Sequence, residues 1–108
     1  MKIDHVTAPD ENLFEDLGFG PEEAENLRIR AALMVAVREI VEDRGLTQTE
    51  AAKLFQTSQP RVSDVMRGKI DEFTIDSLVN MLSRAGVRIE VRLEAPPSRS
   101  RREPQSAR

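Results

Sequence analysis

Between Ser58 and Lys69 the chain sets Gln59, Pro60, Arg61, Ser63, Asp64, Arg67 and Lys69 around the apolar Val62, Val65 and Met66. On a helical wheel of about 100° per residue, the three apolar side chains share one side. Pro60, Asp64 and Arg67 face the other, flanked by Arg61 and Ser63, while Ser58 and Gln59 lead into the first turn. A carboxamide offers a donor beside an acceptor and so matches adenine, a guanidinium matches guanine, and an apolar ring packs on the thymine methyl. Arg67 and Lys69 stand at the far end, where cations suit phosphates. A face of this composition can read base edges.

The same search finds little that could catalyse a reaction. The chain has one histidine, His5, and no cysteine, so a transition-metal site lacks ligands and no thiolate nucleophile exists. Glu22, Glu23 and Glu25 follow Pro21 and read as acidic residues at the positive end of a helix dipole rather than as an acid–base cluster. Gly18-Phe-Gly20-Pro does not continue as a dinucleotide fingerprint. No catalytic residue, cofactor or metal is expected, and the protein reads as a binding protein rather than an enzyme.

Two short helices position the polar face. The first starts at Thr47, with Glu50 three residues on, the spacing of a capping box. It buries Ala51, Ala52, Leu54 and Phe55. The second starts at Ser58 as N-cap, carries Pro60 in its first turn and ends at Gly68. Only Gln56 and Thr57 lie between them, and the small Ala51 and Ala52 allow a close, steep crossing. Together they form a helix-turn-helix.

Gln48, Ala52, Gln59, Val62 and Gly68 resemble the pattern of the lambda-repressor-like, Cro/C1-type helix-turn-helix domains. That resemblance implies that Gln48 touches the DNA backbone and braces Gln59, and that Gln59, Pro60, Arg61, Ser63 and Asp64 occupy base-reading positions. The chain departs from the family where it has Gln56 in place of the usual turn glycine, so this residue must accept a left-handed backbone or tighten the turn differently. A narrower resemblance runs from about Leu13 to Leu93 and rests on Glu15-Asp-Leu-Gly-Phe, Gly45-Leu-Thr-Gln-Thr-Glu-Ala-Ala, Gln59-Pro-Arg-Val-Ser-Asp, Arg67-Gly-Lys-Ile-Asp-Glu-Phe and Leu78-Val-Asn-Met-Leu. These segments look like the small antitoxins of HigA type, which pair with RelE-like ribonuclease toxins and repress their own operons. The toxin partner is implied by this resemblance alone. A stand-alone regulator or a protein-interaction module of the same fold are the alternatives.

The remaining sequence sets the frame. At 108 residues one domain is expected. The net charge of −3 is unevenly spread: residues 1–45 carry −6, residues 46–70 carry +2, residues 71–94 carry −2 and residues 95–108 carry +3. The basic excess falls on the motif and the tail. A long helix from Pro21 to Arg44, closed by Gly45, should bury Leu33, Val37, Ile40 and Val41. Leu27, Ile29, Met34 and Val35 widen its apolar arc, through a second buried contact or through drift around a small core. Thr74 caps a later helix with Ile75, Leu78, Val79 and Leu82 inward, and Gly86 stops it.

Val87-Arg-Ile-Glu-Val-Arg-Leu93 then alternates between apolar and charged, the period of a half-buried strand. A lone strand leaves its backbone unpaired. Pairing across a homodimer axis through Val87, Ile89, Val91 and Leu93 answers that need, with Lys2 to Val6 as the other candidate. Residues 1–20 read as an acidic arm in which Leu13, Phe14, Leu17 and Phe19 suit one packed helical turn or a toxin contact. Residues 95–108, rich in Pro, Ser and Arg, read as a disordered basic tail, with Arg99, Arg101, Arg102 and Arg108 near phosphates as the alternative role. The expected fold is all-α, a bundle of about five helices over residues 21–94 with a C-terminal β-strand. With no signal-like or membrane-length apolar run, the expected location is the cytoplasm and the expected target is double-stranded operator DNA.

Overall fold

The computed structural model describes residues 13–95. Five α-helices follow one another: α1 Leu13–Asp16, α2 Pro21–Arg44, α3 Gln48–Phe55, α4 Gln59–Met66 and α5 Ile75–Arg84, with a single 3-10 turn, Ile70–Glu72, between the last two. His5, Lys2 to Val6 and the tail arginines lie outside the described residues. No helix among those described is long and apolar enough to cross a membrane.

Helix starts are fixed by the residues that the sequence nominates. Pro21 opens α2 after Gly20, Thr47 and Glu50 form the reciprocal capping box of α3, and the Ser58 hydroxyl accepts from the Arg61 N–H at the start of α4. Thr74 caps α5, and Ser77 completes a second capping box by accepting from the Thr74 N–H at 3.0 Å. On the exposed side of α2, Arg28 donates to Glu25 from Nε at 3.0 Å and Nη2 at 2.6 Å. This hydrogen bonding holds the Glu25 carboxyl below the usual carboxylate range.

Helices α2, α3, α4 and α5 enclose one core whose largest fully buried side chains are Phe55, Phe73, Ile40, Leu78, Leu82, Val37, Val62 and Val65. Leu33 is half-buried at its edge, beside the buried Val37, Ile40 and Val41. Ala24 and Leu27 are buried apart from this core, on the helix against which α1 packs. A second buried contact therefore uses part of the apolar excess of α2, while Ile29 and Val35 stay exposed. In α5 the buried stripe is Leu78, Met81, Leu82 and Ala85, an i, i+3, i+4, i+7 set; Ile75 and Val79 sit half-buried at its rim. Phe73 occupies the position before the α5 N-cap and Leu78 the fourth helical position, the placement of a hydrophobic staple.

The C-terminal strand is not formed among the described residues. Among the described residues, those after Gly86 carry no regular structure. A strand exists only through backbone pairing, and among the described residues no neighbouring strand stands beside residues 87–95. Val87 and Ile89 instead cover the core, half-buried against it. Val91 and Leu93 leave the body of the protein, 81% and 88% exposed.

Candidate nucleic-acid interface

Helices α3 and α4 meet through a turn that is short because both of its ends are tied down. The Gln56 and Thr57 N–H groups close onto the Lys53 and Ala52 carbonyls at 3.3 Å and 2.9 Å. Gln56 adopts the left-handed conformation, φ 54° and ψ 52°, so a non-glycine residue takes the place where the motif ordinarily has glycine. Its carbonyl accepts from Arg84 Nη1 at 3.4 Å, which links the turn to α5. Beneath it, Ala51 and Phe55 of α3 and Val62 and Val65 of α4 are buried, which fixes the outer face of α4 toward solvent.

On that face Ser58, Gln59, Pro60, Arg67 and Lys69 are exposed and Ser63 is half-buried. Asp64 is half-buried and pairs with Lys69, its Oδ1 3.6 Å from Nζ. Gln48 is exposed in the first turn of α3, but it does not hold Gln59. The residue that does is its neighbour: Gln59 Nε2 donates to Thr49 Oγ1 at 2.6 Å. The brace implied by resemblance is thus present with a different partner. Thr49 shares the exposed end of α3 with Gln48, which places its hydroxyl toward the start of α4, although ten residues of sequence conceal the contact.

Arg61 is tied down more firmly than its place on the helix wheel suggests. Its Nη1 donates to the Glu72 carbonyl at 2.8 Å, and its guanidinium carbon lies 4.1 Å from the centroid of the buried Phe73 ring. Helix α4 is thereby fastened to the segment that follows it. Within the same segment, Arg30 of α2 donates to the Ile70 carbonyl at 3.2 Å. The segment after Lys69 is thus held by both α2 and α4. A depression of about 130 Å³ between α2 and this segment, lined by Ala31, Met34, Val35, Arg38, Gly68 and Ile70, is smaller than ordinary ligand pockets.

At the other end, the residues expected to suit a protein partner surround α1. Phe14 is half-buried and meets Phe19 edge to face, with 6.4 Å between centroids, whereas Leu13, Leu17 and Phe19 are exposed. Among the described residues no group of three or more His, Cys, Asp or Glu side chains could hold a metal ion.

The fold and this polar face define a DNA-binding helix-turn-helix protein. The chain belongs to the family of helix-turn-helix domains, whose model matches residues 13–94. Its fold is similar to that of a solved structure described as an XRE-family transcriptional regulator, with a TM-score of 0.63 at 24% identity, covering 69% of this chain and 84% of that one. No curated protein matches the sequence.

Proposed function

We propose that this protein is a homodimeric, sequence-specific repressor that acts by binding double-stranded operator DNA rather than by catalysis. The observation that carries the reading is the exposed first turn of α4, where Gln59 is presented beside Pro60 and hydrogen-bonded to Thr49, with Arg67 and Lys69 exposed at the far end of the helix for phosphates. Selection from a pool of randomised duplex DNA tests it. The protein should enrich a two-part site, and Gln59→Ala should weaken binding to that site by about 1–3 kcal/mol. Arg67→Ala and Lys69→Ala should lower affinity on all duplexes and flatten its salt dependence. Enrichment of no sequence would sink the reading.

The narrower proposal is an antitoxin that neutralises a RelE-like ribonuclease encoded beside it. It is supported by the resemblance over Leu13 to Leu93, by the net −6 of residues 1–45, which suits a basic partner, and by the exposed Leu13, Leu17 and Phe19. Leu17 is 66% exposed, so Leu17→Asp leaves the fold in place. Neutralisation of the neighbouring gene product at wild-type strength by that variant would remove α1 from the proposal.

A further inference from the structure

The charged residues of the C-terminal segment follow a stricter order than its apolar ones. In an extended chain Val87, Ile89, Val91 and Leu93 share one face, while Arg88, Glu90, Arg92 and Glu94 share the other and alternate in sign. All four charged residues are exposed, and none forms an ion pair with another described residue. Among the described residues the alternation therefore has no use.

Two copies that pair antiparallel about a two-fold axis place residues equally far from the axis opposite one another. Opposite charges so placed are favourable and like charges unfavourable. With the axis at Glu90, that residue faces its own copy and Arg88 faces Arg92; with the axis at Arg92, that residue faces itself and Glu90 faces Glu94. An axis at Val91 reverses every sign, setting Glu90 opposite Arg92 and Arg88 opposite Glu94. The two other axes that avoid like charges fail on the backbone. An axis at Ile89 would lay Leu93 and Glu94 along Ala85 and Arg84 at the end of α5, and an axis at Leu93 would set Ile89 and Glu90 against Pro97 and Pro96, which have no N–H to give. The Val91 axis also brings the exposed Leu93 of each chain opposite the Ile89 that rests on the core of the other. We propose that residues 87–95 carry a self-recognition pattern, by which two copies of this chain pair antiparallel about Val91 and strands of another charge order are rejected. This rests on the homodimer proposed above and names the register and selectivity of its contact.

The test is a charge exchange in the full-length chain, read by sedimentation at low salt with helical circular dichroism recorded alongside. Glu90→Arg and Arg92→Glu each set like charges together at two symmetric contacts, so each variant alone should dimerise about tenfold more weakly than the unaltered chain. Mixed in equal amounts, the two variants oppose unlike charges at every contact and should pair at about the unaltered affinity. The double variant Glu90→Arg/Arg92→Glu should likewise regain it. Unaltered dimerisation of either single variant, or no recovery in the mixture and the double variant, overturns the proposal. A stronger dimer of Arg92→Glu alone overturns it too, because only an axis at Glu90 sets the new carboxylate opposite Arg88. An unaltered chain that sediments as a monomer removes the homodimer itself, whereas a dimer indifferent to the exchanges removes only the pairing pattern.

Discussion

Two polar side chains in the first turn of α4 are committed to very different degrees. Gln59 makes one hydrogen bond to an exposed hydroxyl, while Arg61 is bound to a backbone carbonyl and lies over a buried aromatic ring. A cation over a ring face is worth about 0.5–1 kcal/mol at partly exposed sites, and a hydrogen bond adds about 1. Arg61→Ala should therefore lower the unfolding free energy in urea by about 1–2 kcal/mol, and Gln59→Ala by less than about 0.5. Equal stability of the two variants would mean that Arg61 does not fasten the reading helix. The exposure of Gln59 was legible because it directly follows the Ser58 cap and so projects forward from the first turn, ahead of the buried Val62 and Val65. The attachment of Arg61 was not, because Glu72 and Phe73 lie at the close of a 3-10 turn beyond a helix end, and no fixed spacing encodes such a contact. The hydrogen bond from Gln59 to Thr49 was hidden for the same reason, and resemblance pointed one residue away, to Gln48.

The ends of the elements were written more plainly than their packing. Helices α2, α3, α4 and α5 all end in the same pair of backbone hydrogen bonds, the second running from the residue beyond the left-handed one: Leu46 to Val41, Thr57 to Ala52, Lys69 to Asp64 and Val87 to Leu82, all between 2.9 Å and 3.0 Å. At three of these ends the left-handed residue is glycine, and at α3 it is Gln56. A side chain in this conformation costs about 1–2 kcal/mol, while glycine adds freedom to the unfolded chain worth about 0.4–1. The balance favours glycine. Gln56→Gly should stabilise the protein by about 0.5–1 kcal/mol in urea denaturation with the α3–α4 turn unchanged, and a destabilised variant would show that the Gln56 side chain stabilises the turn in some other way. The glycine ends and capping residues depend on neighbours in sequence, so they could be read directly. The inward face of α5 depends on what packs against it, which is why Met81 and Ala85 replaced Ile75 and Val79 at its centre. The alternation of Val87 to Leu93 was read as a strand, but alternation reports only which side chains share a face. Backbone pairing requires a second strand, and the described residues supply none.

For the whole molecule, the charge distribution and the C-terminal segment bear on the same question. A protein of net charge −3 gains little from nonspecific attraction to DNA, since its basic excess is confined to the motif and the tail. Engaging two half-sites at once offsets that weakness, because the second contact becomes effectively intramolecular. A proposed dimer needs a surface that one chain leaves unfinished, and residues 87–95 provide one: Val87 and Ile89 rest on the core, while Val91 and Leu93 extend beyond it with their backbone outside any ladder. Val91 is the position at which this idea can be tested cleanly. At 81% exposure its side chain adds little to the core, so proline there removes a backbone donor without opening a cavity. Sedimentation at micromolar concentration should show a dimer for the unaltered chain and a monomer for Val91→Pro, with the same helical content in both. Operator affinity should fall in parallel, by more than affinity for a single half-site. An unaltered chain that sediments as a monomer, or a Val91→Pro chain that still dimerises, would exclude the C-terminal segment as the dimer contact and direct attention to the exposed Ile29 and Val35 of α2.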